Sequence, residues 1–332
     1  MLEKRRGVLL FVFFLFILAI LPLNYYEANR ACMVMGGNLH DQLKEGNAQK
    51  MQSNKIEADV RENEKYFRPS KLPILNDRYF ETSFMDDFYG KETSEIKLPE
   101  ELFKTQEDAI LNYFSILREA ANPEEGKLAG CGTIGNAMLP YPIAYQFLSA
   151  DAQKNLSYKK YVETFQNILH INLIKMKEVP TYEPSKYIRY FIELETIEGS
   201  EKEASYFAYY YGFLDLIKEG EAYKIANFDL FGENYLCAPY HGWAYDAETV
   251  VDIKYGDWCG LVADRLSTQQ DGYVKKIYFN GTDGKEYFVE FYELTNGTDI
   301  EIAQYMKKDG EWSLIQLDPE SCIRDSVVES LR

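Results

Sequence analysis

The chain has 332 residues, 46% of them hydrophobic, and its 36 basic and 53 acidic side chains leave a formal charge of −17. That is apolar material enough for one large or two small packed domains, so the chain as a whole is not a disordered one. The charge argues against a nucleic-acid partner, because neutralising phosphates needs a basic surface, and it would also repel an anionic leaflet.

The amino terminus departs from the acidic average. Lys4, Arg5 and Arg6 precede a run from Gly7 to Leu23 that has no charged side chain. As a helix this run reaches about 25 Å, at the short end for crossing hydrocarbon, where a helix satisfies its own backbone. The basic cluster predicts a cytoplasmic start with the bulk of the chain outside. A cleaved secretory signal shares the charged start and apolar middle. After Leu23, however, the sequence NYYEANRACMV has no clean pair of small residues for cleavage, and Arg30 spoils a lipoprotein site before Cys32. The expectation is an uncleaved single-pass anchor over 1–28, with Tyr25 and Tyr26 at the interface; the alternative is secretion after signal cleavage.

Residues 29–98 read as a polar stalk followed by an ordered arm. The stalk lacks a sustained helical stripe, whereas Tyr66 to Tyr89 mixes aromatics with Pro69 and Pro73. From Pro99 the pattern turns globular. Leu102, Ile110, Leu111, Phe114 and Leu117 recur at helical spacing, with Thr105 and Asp108 placed to cap an end. The glycine-rich EGKLAGCGTIG from Glu125 has no preceding strand and no closing Gly-Lys-Ser/Thr, which argues for a turned connection and against a nucleotide loop. Short helices are expected over Pro142–Lys154 and Leu156–His170, with His170 at the negative end of the second.

The period then becomes alternating. INLIKMKEV, YIRYFIELETI, ASYFAYYYGFLDLI and AYKIANFDLF are four consecutive strand candidates. In the second, Tyr190 and Ile192 share a core face while Arg189, Glu193 and Glu195 share a face expected to be at least partly wet. The third carries aromatics on both faces, as a strand covered on two sides does. A helix is expected over Asp246–Leu266, where Gly256 and Gly260 would admit a close backbone. A four-stranded meander follows, with turns at Asn280-Gly281, Asn296-Gly297 and Asp309-Gly310. The tail 321–332 reads as weakly attached. The fold class is therefore α+β, with domains at 99–240 and 241–320.

Helices first, then a run of curved antiparallel strands: by this element order, residues from about 100 to 231 resemble the nuclear-transport-factor-two-like superfamily, also called ketosteroid-isomerase-like or cystatin-like. The resemblance implies a bent sheet wrapped around a helix as an open-mouthed cone. It leaves function open, since members include enzymes, ligand binders and extracytoplasmic assembly modules. An isomerase-type cone needs an inward ionisable group among apolar neighbours. Tyr190, Tyr210, Asn227 and Asp229 are the positions on the cone wall to supply one, set against ordinary core and strand-end roles.

Five cysteines and three histidines show no close ligand pair, so neither a zinc site nor a cofactor is implied. Cys237 with Cys259 is the first candidate disulfide, against the alternative of small buried hydrophobes. His241 lies in Pro239-Tyr240-His241-Gly242-Trp243, before a helix bearing Glu248, and is a candidate base or ligand clamp against a plug at a domain junction. Tyr209, Tyr210, Tyr211 and Phe213, with Tyr240, His241 and Trp243, are the candidate contact residues. The expectation is a non-enzymatic, membrane-anchored, extracytoplasmic binding or assembly module that contacts an envelope protein or a small ligand. An isomerase or hydrolase working in the cone is the competing class, and a purely structural spacer a third.

Overall fold

The computed structural model describes residues 68–80, 82–127, 137–182, 185–201, 205–234 and 242–323. All fall in one compact unit, Gly36–Arg332. The expected anchor, the stalk, Cys237, Tyr240 and His241 lie outside the described residues. Among the described residues, no helix is long and apolar enough to cross a membrane.

The described residues form an α+β architecture with two antiparallel sheets. The first comprises β1 (Ile168–Glu178), β2 (Tyr187–Glu198), β3 (Tyr206–Glu219) and β4 (Ala222–Gly232), paired in chain order. The alternation read from the sequence puts the strands here, and aromatic-rich β3 is an interior strand. Gly212 is a necessity of that position: a Cβ there would sit 1.9 Å from the backbone oxygen of Asp229 on β4.

One face of this sheet, the inner face, holds the main core. After the short α1 (Thr82–Asp86), the helix α2 (Gln106–Arg118) begins at Thr105, whose side chain accepts the N–H of Asp108. It buries Ile110, Tyr113, Phe114 and Leu117. Short helices α3 (Pro140–Ala144), α4 (Ala150–Asn155) and α5 (Tyr158–Glu163) close over it. Tyr113 and Tyr161, each about fully buried, meet hydroxyl to hydroxyl at 3.1 Å, and Phe147 and Phe228 pack on Tyr113. Side chains thus fill this part of the interior.

α5 is shorter than the expected Leu156–His170 helix. Asn167 adopts a left-handed φ of 70° and reverses the chain, which asparagine tolerates better than most residues. His170 therefore lies in β1 rather than at a helix end, with Nε2 3.1 Å from Asn172 Oδ1.

The second sheet has the order β10-β9-β8-β7-β5, with β6 (Gln269–Asp271) also on β7. Its strands are β5 (Val262–Arg265), β7 (Val274–Gly281), β8 (Glu286–Glu293), β9 (Asp299–Lys308) and β10 (Glu311–Ile315). Asp309 and Gly310 both take positive φ, as the tight turn between β9 and β10 requires. The Asn280-Gly281 pair is not the turn it resembles. Gly281 is still paired in β7, and the reversal comes at Gly284.

One face of this sheet packs on α6 (Ala247–Val250) and the π-helical turns Val251–Trp258 that continue it, through Val251, Tyr255, Phe279 and Phe291. The helix stops well short of Leu266. Gly260 takes a left-handed φ of 60° and sends the chain into β5, while a Cβ built on Gly256 would meet Val262 Cβ at 3.7 Å, an ordinary contact, so neither glycine marks the close backbone approach expected of the pair. The other face of the second sheet meets the outer face of the first across Phe191, Tyr292, Leu294 and Val179. That contact buries Glu193, and Glu195 beside it is covered as well, so the expectation of a wet face fails along most of β2. Only Arg189, at the strand's start, keeps about half its side chain in solvent.

Candidate functional site

The alternation of β3 separates residues that adjoin in sequence. Tyr210 lies on the inner face and donates to Glu198 Oε1 at 2.6 Å. Tyr209 lies on the outer face, fully buried, and donates to Glu195 Oε2 at 2.8 Å. Tyr211 shares that outer face, its ring 5.8 Å from Phe231. Tyr190, buried in the core, donates to Glu107 Oε1 of α2 at 3.3 Å. Burial first, and then the neighbouring carboxylate, pushes the hydroxyls of Tyr190, Tyr209 and Tyr210 well above the ordinary phenol range. Asp229 and Asn227 are exposed on β4. The named tyrosines thus reach three different carboxylates and form no single cluster.

On the inner face, Glu198 is the convergence point. Its Oε1 accepts from Thr196 Oγ1 at 3.1 Å and from Tyr210, and its Oε2 accepts from Tyr206 at 2.8 Å. The carboxylate is 5% exposed. Three hydroxyl donors replace the water it gave up, which is how a buried carboxylate is tolerated with no counter-ion among the described residues.

Where the sheets meet, a second buried set forms. Lys175 of β1 stands 2.6 Å from Glu193 Oε2 of β2 and donates to the backbone oxygen of Glu293 at 2.6 Å. Glu193 Oε1 accepts the N–H of Thr295 at 2.9 Å and also the Thr295 hydroxyl. Glu233, just past β4, accepts the N–H of Asn296 at 3.2 Å. Two carboxyl groups of the first sheet therefore grip successive amides at the tip of the β8–β9 hairpin. Nearby, Arg68 inserts from the arm onto Glu195, which also takes Asn172 Nδ2 at 3.2 Å.

At the surface the exposed apolar residues include Leu230 and Phe231, at the end of β4, and Trp243. Trp243 meets Trp258 edge to face at 5.5 Å. Tyr245, in the same short 3-10 turn as Trp243, lies near enough to Tyr211 to help raise its hydroxyl, after burial and Glu233. This end of the β3–β4 pair carries part of the exposed apolar surface, with Tyr79, Tyr89, Met138, Leu266 and Trp312 exposed elsewhere and Leu230 and Phe231 on opposite faces of β4.

Cys259 is bonded to Cys322, with Cα atoms 5.1 Å apart. This corrects the expected Cys237–Cys259 pairing, since a sulfur makes one such bond, and it ties down the start of the expected tail, of which 324–332 lie outside the described residues. The helical turn at 319–323 is held covalently to the end of the π-helical segment.

Sequence reasoning passed over Lys175, Glu198 and Glu233 as site residues and put Glu193 and Glu195 on a face expected to be at least partly wet. The signal was available in β2, where acids recur inside a strand of otherwise core composition, a pattern that demands buried partners. Comparison of the chain with family models, curated proteins and solved structures finds no match.

Proposed function

We propose that the chain is a membrane-tethered, extracytoplasmic binding and assembly module that contacts another envelope protein or a small ligand. The observation that carries this reading is the exposed apolar end of the β3–β4 pair, with Leu230 and Phe231 at 38% and 37% exposure and Trp243 at 39%. Aromatic side chains left in water beside a rigid sheet are the usual anchors of partner contacts. The buried hydroxyls of Tyr190, Tyr209 and Tyr210 are, by contrast, committed to internal carboxylates.

The tether rests on the basic cluster and the uncharged run Gly7–Leu23. The Cys259–Cys322 bond supports an oxidising compartment, where disulfides persist. Cross-linking in intact membranes tests the reading. A defined adduct that Phe231→Ala and Trp243→Ala both weaken is expected. Recovery of the protein alone, under several conditions, counts against a partner role.

A second reading, isomerase or hydrolase chemistry on the inner face, has Glu198 in its favour, a buried carboxylate ringed by Tyr206 and Tyr210. It requires a turnover that Glu198→Gln abolishes and Phe231→Ala leaves intact.

A further inference from the structure

The Glu193–Glu233 junction has a charge count that does not close. Lys175, Glu193 and Glu233 are 4%, 0% and 1% exposed, so one cation faces two carboxyl groups out of reach of water. Glu233 Oε1 is completely buried and has no hydrogen-bond donor among the described residues if both acids are ionised. A proton held between the two carboxyl groups supplies that donor and balances the charge. Their remaining oxygens stay as acceptors for Thr295 and Asn296.

We propose that Glu193, Glu233 and Lys175 form a proton-dependent latch, which seats the β8–β9 hairpin on the first sheet while one proton is shared and frees the hairpin tip when that proton leaves. The charged or titratable groups facing the pair come from every element packed there. Lys175 comes from β1, Tyr211 from β3, and Tyr273 from the strand β7 side. Among the described residues facing the pair only Lys175 is a cation, and its single charge cannot offset two carboxylates.

Burial first, and Glu193 second, pushes Glu233 well above the ordinary carboxylate range, against a smaller opposing pull from Lys175. A group whose folded-state pKa is raised stabilises most below its unfolded pKa, and that contribution is lost as pH rises through the folded value. The latch therefore closes on the acid side and opens on the alkaline side. Opening releases the Thr295 and Asn296 amides from the two carboxyl groups.

Hydrogen exchange on the full-length chain tests this, with exchange at Thr295 and Asn296 expressed as protection relative to an unstructured peptide. In the wild type, protection at both amides should fall about tenfold or more between about pH 5 and about pH 9, one pKa unit of coupling being a factor of ten. Glu233→Gln keeps a neutral donor toward Glu193, and its protection should change less than about twofold over the same span. Equal pH profiles in the two proteins, or a flat profile in the wild type, overturn the latch. Should the variant not fold, carboxyl carbon resonances of the wild type decide. A titration of Glu233 reaching above the usual carboxylate range, with the Thr295 and Asn296 amides shifting at the same midpoint, supports the latch. Titration of Glu233 in the usual range, or amide shifts that do not follow it, overturns it.

Discussion

Asn76 Oδ1 accepts the backbone N–H of Leu173 at 2.7 Å, so a side chain of the arm occupies the place of a neighbouring strand on the open edge of β1. Its Nδ2 donates to Ile171 O at 3.0 Å and to Phe114 O at 2.9 Å, which joins β1 to α2 as well. Leu75 N–H adds a backbone bond to Leu173 O at 2.8 Å. An edge that would invite foreign pairing is thereby closed from within the chain.

Asn76 is fully buried, so its loss strands the edge groups Leu173 N–H and Ile171 O of β1 away from water, and Phe114 O keeps only its helical partner. Each buried group left unpaired costs roughly 1–3 kcal/mol, and Asn76→Ala should lower stability by about 3 kcal/mol or more. Asn76→Asp should be no better, because it turns the amide donor toward two carbonyl oxygens as an acceptor. Denaturant midpoints of the three proteins check this; an aspartate variant as stable as wild type would contradict the assignment.

Arg68 makes the second tie between arm and sheet. Its guanidinium meets Glu195 with side-chain exposures of 6% and 0%, and also donates to Leu72 O at 2.7 Å and Ser70 Oγ at 3.0 Å. Removing one partner of a buried pair leaves an uncompensated charge, so Arg68→Ala should cost about 3–5 kcal/mol. Adding Glu195→Gln removes that charge and should recover a large part of the loss. Thermal unfolding of the single and double variants measures the coupling. Additive losses would mean that the two residues do not act as a pair.

These ties explain which features were legible in the sequence. The meander could be read because its hairpins are local: Lys308 pairs with Glu311 across Asp309-Gly310, and both signals lie within a few residues. The fate of β2 could not. Glu193 meets Thr295 at a separation of 102 residues, and Arg68 meets Glu195 at 127. Strand alternation tells which residues share a face but is silent on what covers that face. The helix ends failed for a related reason. Asn167 and Gly260 reverse the chain through left-handed φ, and neither position interrupts the apolar spacing that suggested a longer helix.

The cysteines have the same lesson with a direct test. Nothing in the spacing distinguishes Cys322 from Cys237 as the partner of Cys259, and only the fold brings Cys322 within bonding distance. A non-reduced digest should yield one peptide pair joined through Cys259 and Cys322. Their separation of 63 residues closes a long loop. Cys322→Ser should therefore destabilise by about 4 kcal/mol if the loop-entropy account holds. A Cys237–Cys259 peptide in the digest would refute the pairing.

Gly212→Ala should be among the most damaging small changes in the first sheet. The added methyl would lie 1.9 Å from Asp229 O and 2.9 Å from its carbonyl carbon, both backbone atoms that cannot swing aside. Relief requires β3 and β4 to separate, so the expected loss exceeds about 3 kcal/mol, the range of severe core defects. Soluble yield and far-ultraviolet dichroism of the variant check it. A variant with wild-type stability would mean that β4 can shift its register or its path at little cost.

Lys224 offers a pH dependence of opposite sign to the junction latch. Its Nζ lies 3.5 Å from the centroid of the Phe103 ring and donates to Gln146 O at 2.7 Å. Burial outweighs the opposing effect of Glu219 and lowers its pKa to about 8. The unfolded chain holds this proton more tightly than the folded one. Lys224 should therefore add stability fully above the usual lysine pKa and lose that contribution as pH falls toward about 8. Titration of the Lys224 side-chain resonance should give a midpoint near 8, and Lys224→Met should remove the corresponding rise in stability between that pH and the ordinary lysine range. A midpoint in the ordinary range, or an unchanged stability slope in the variant, would show that the amine keeps its hydration and that the ring contact is made by a solvated cation.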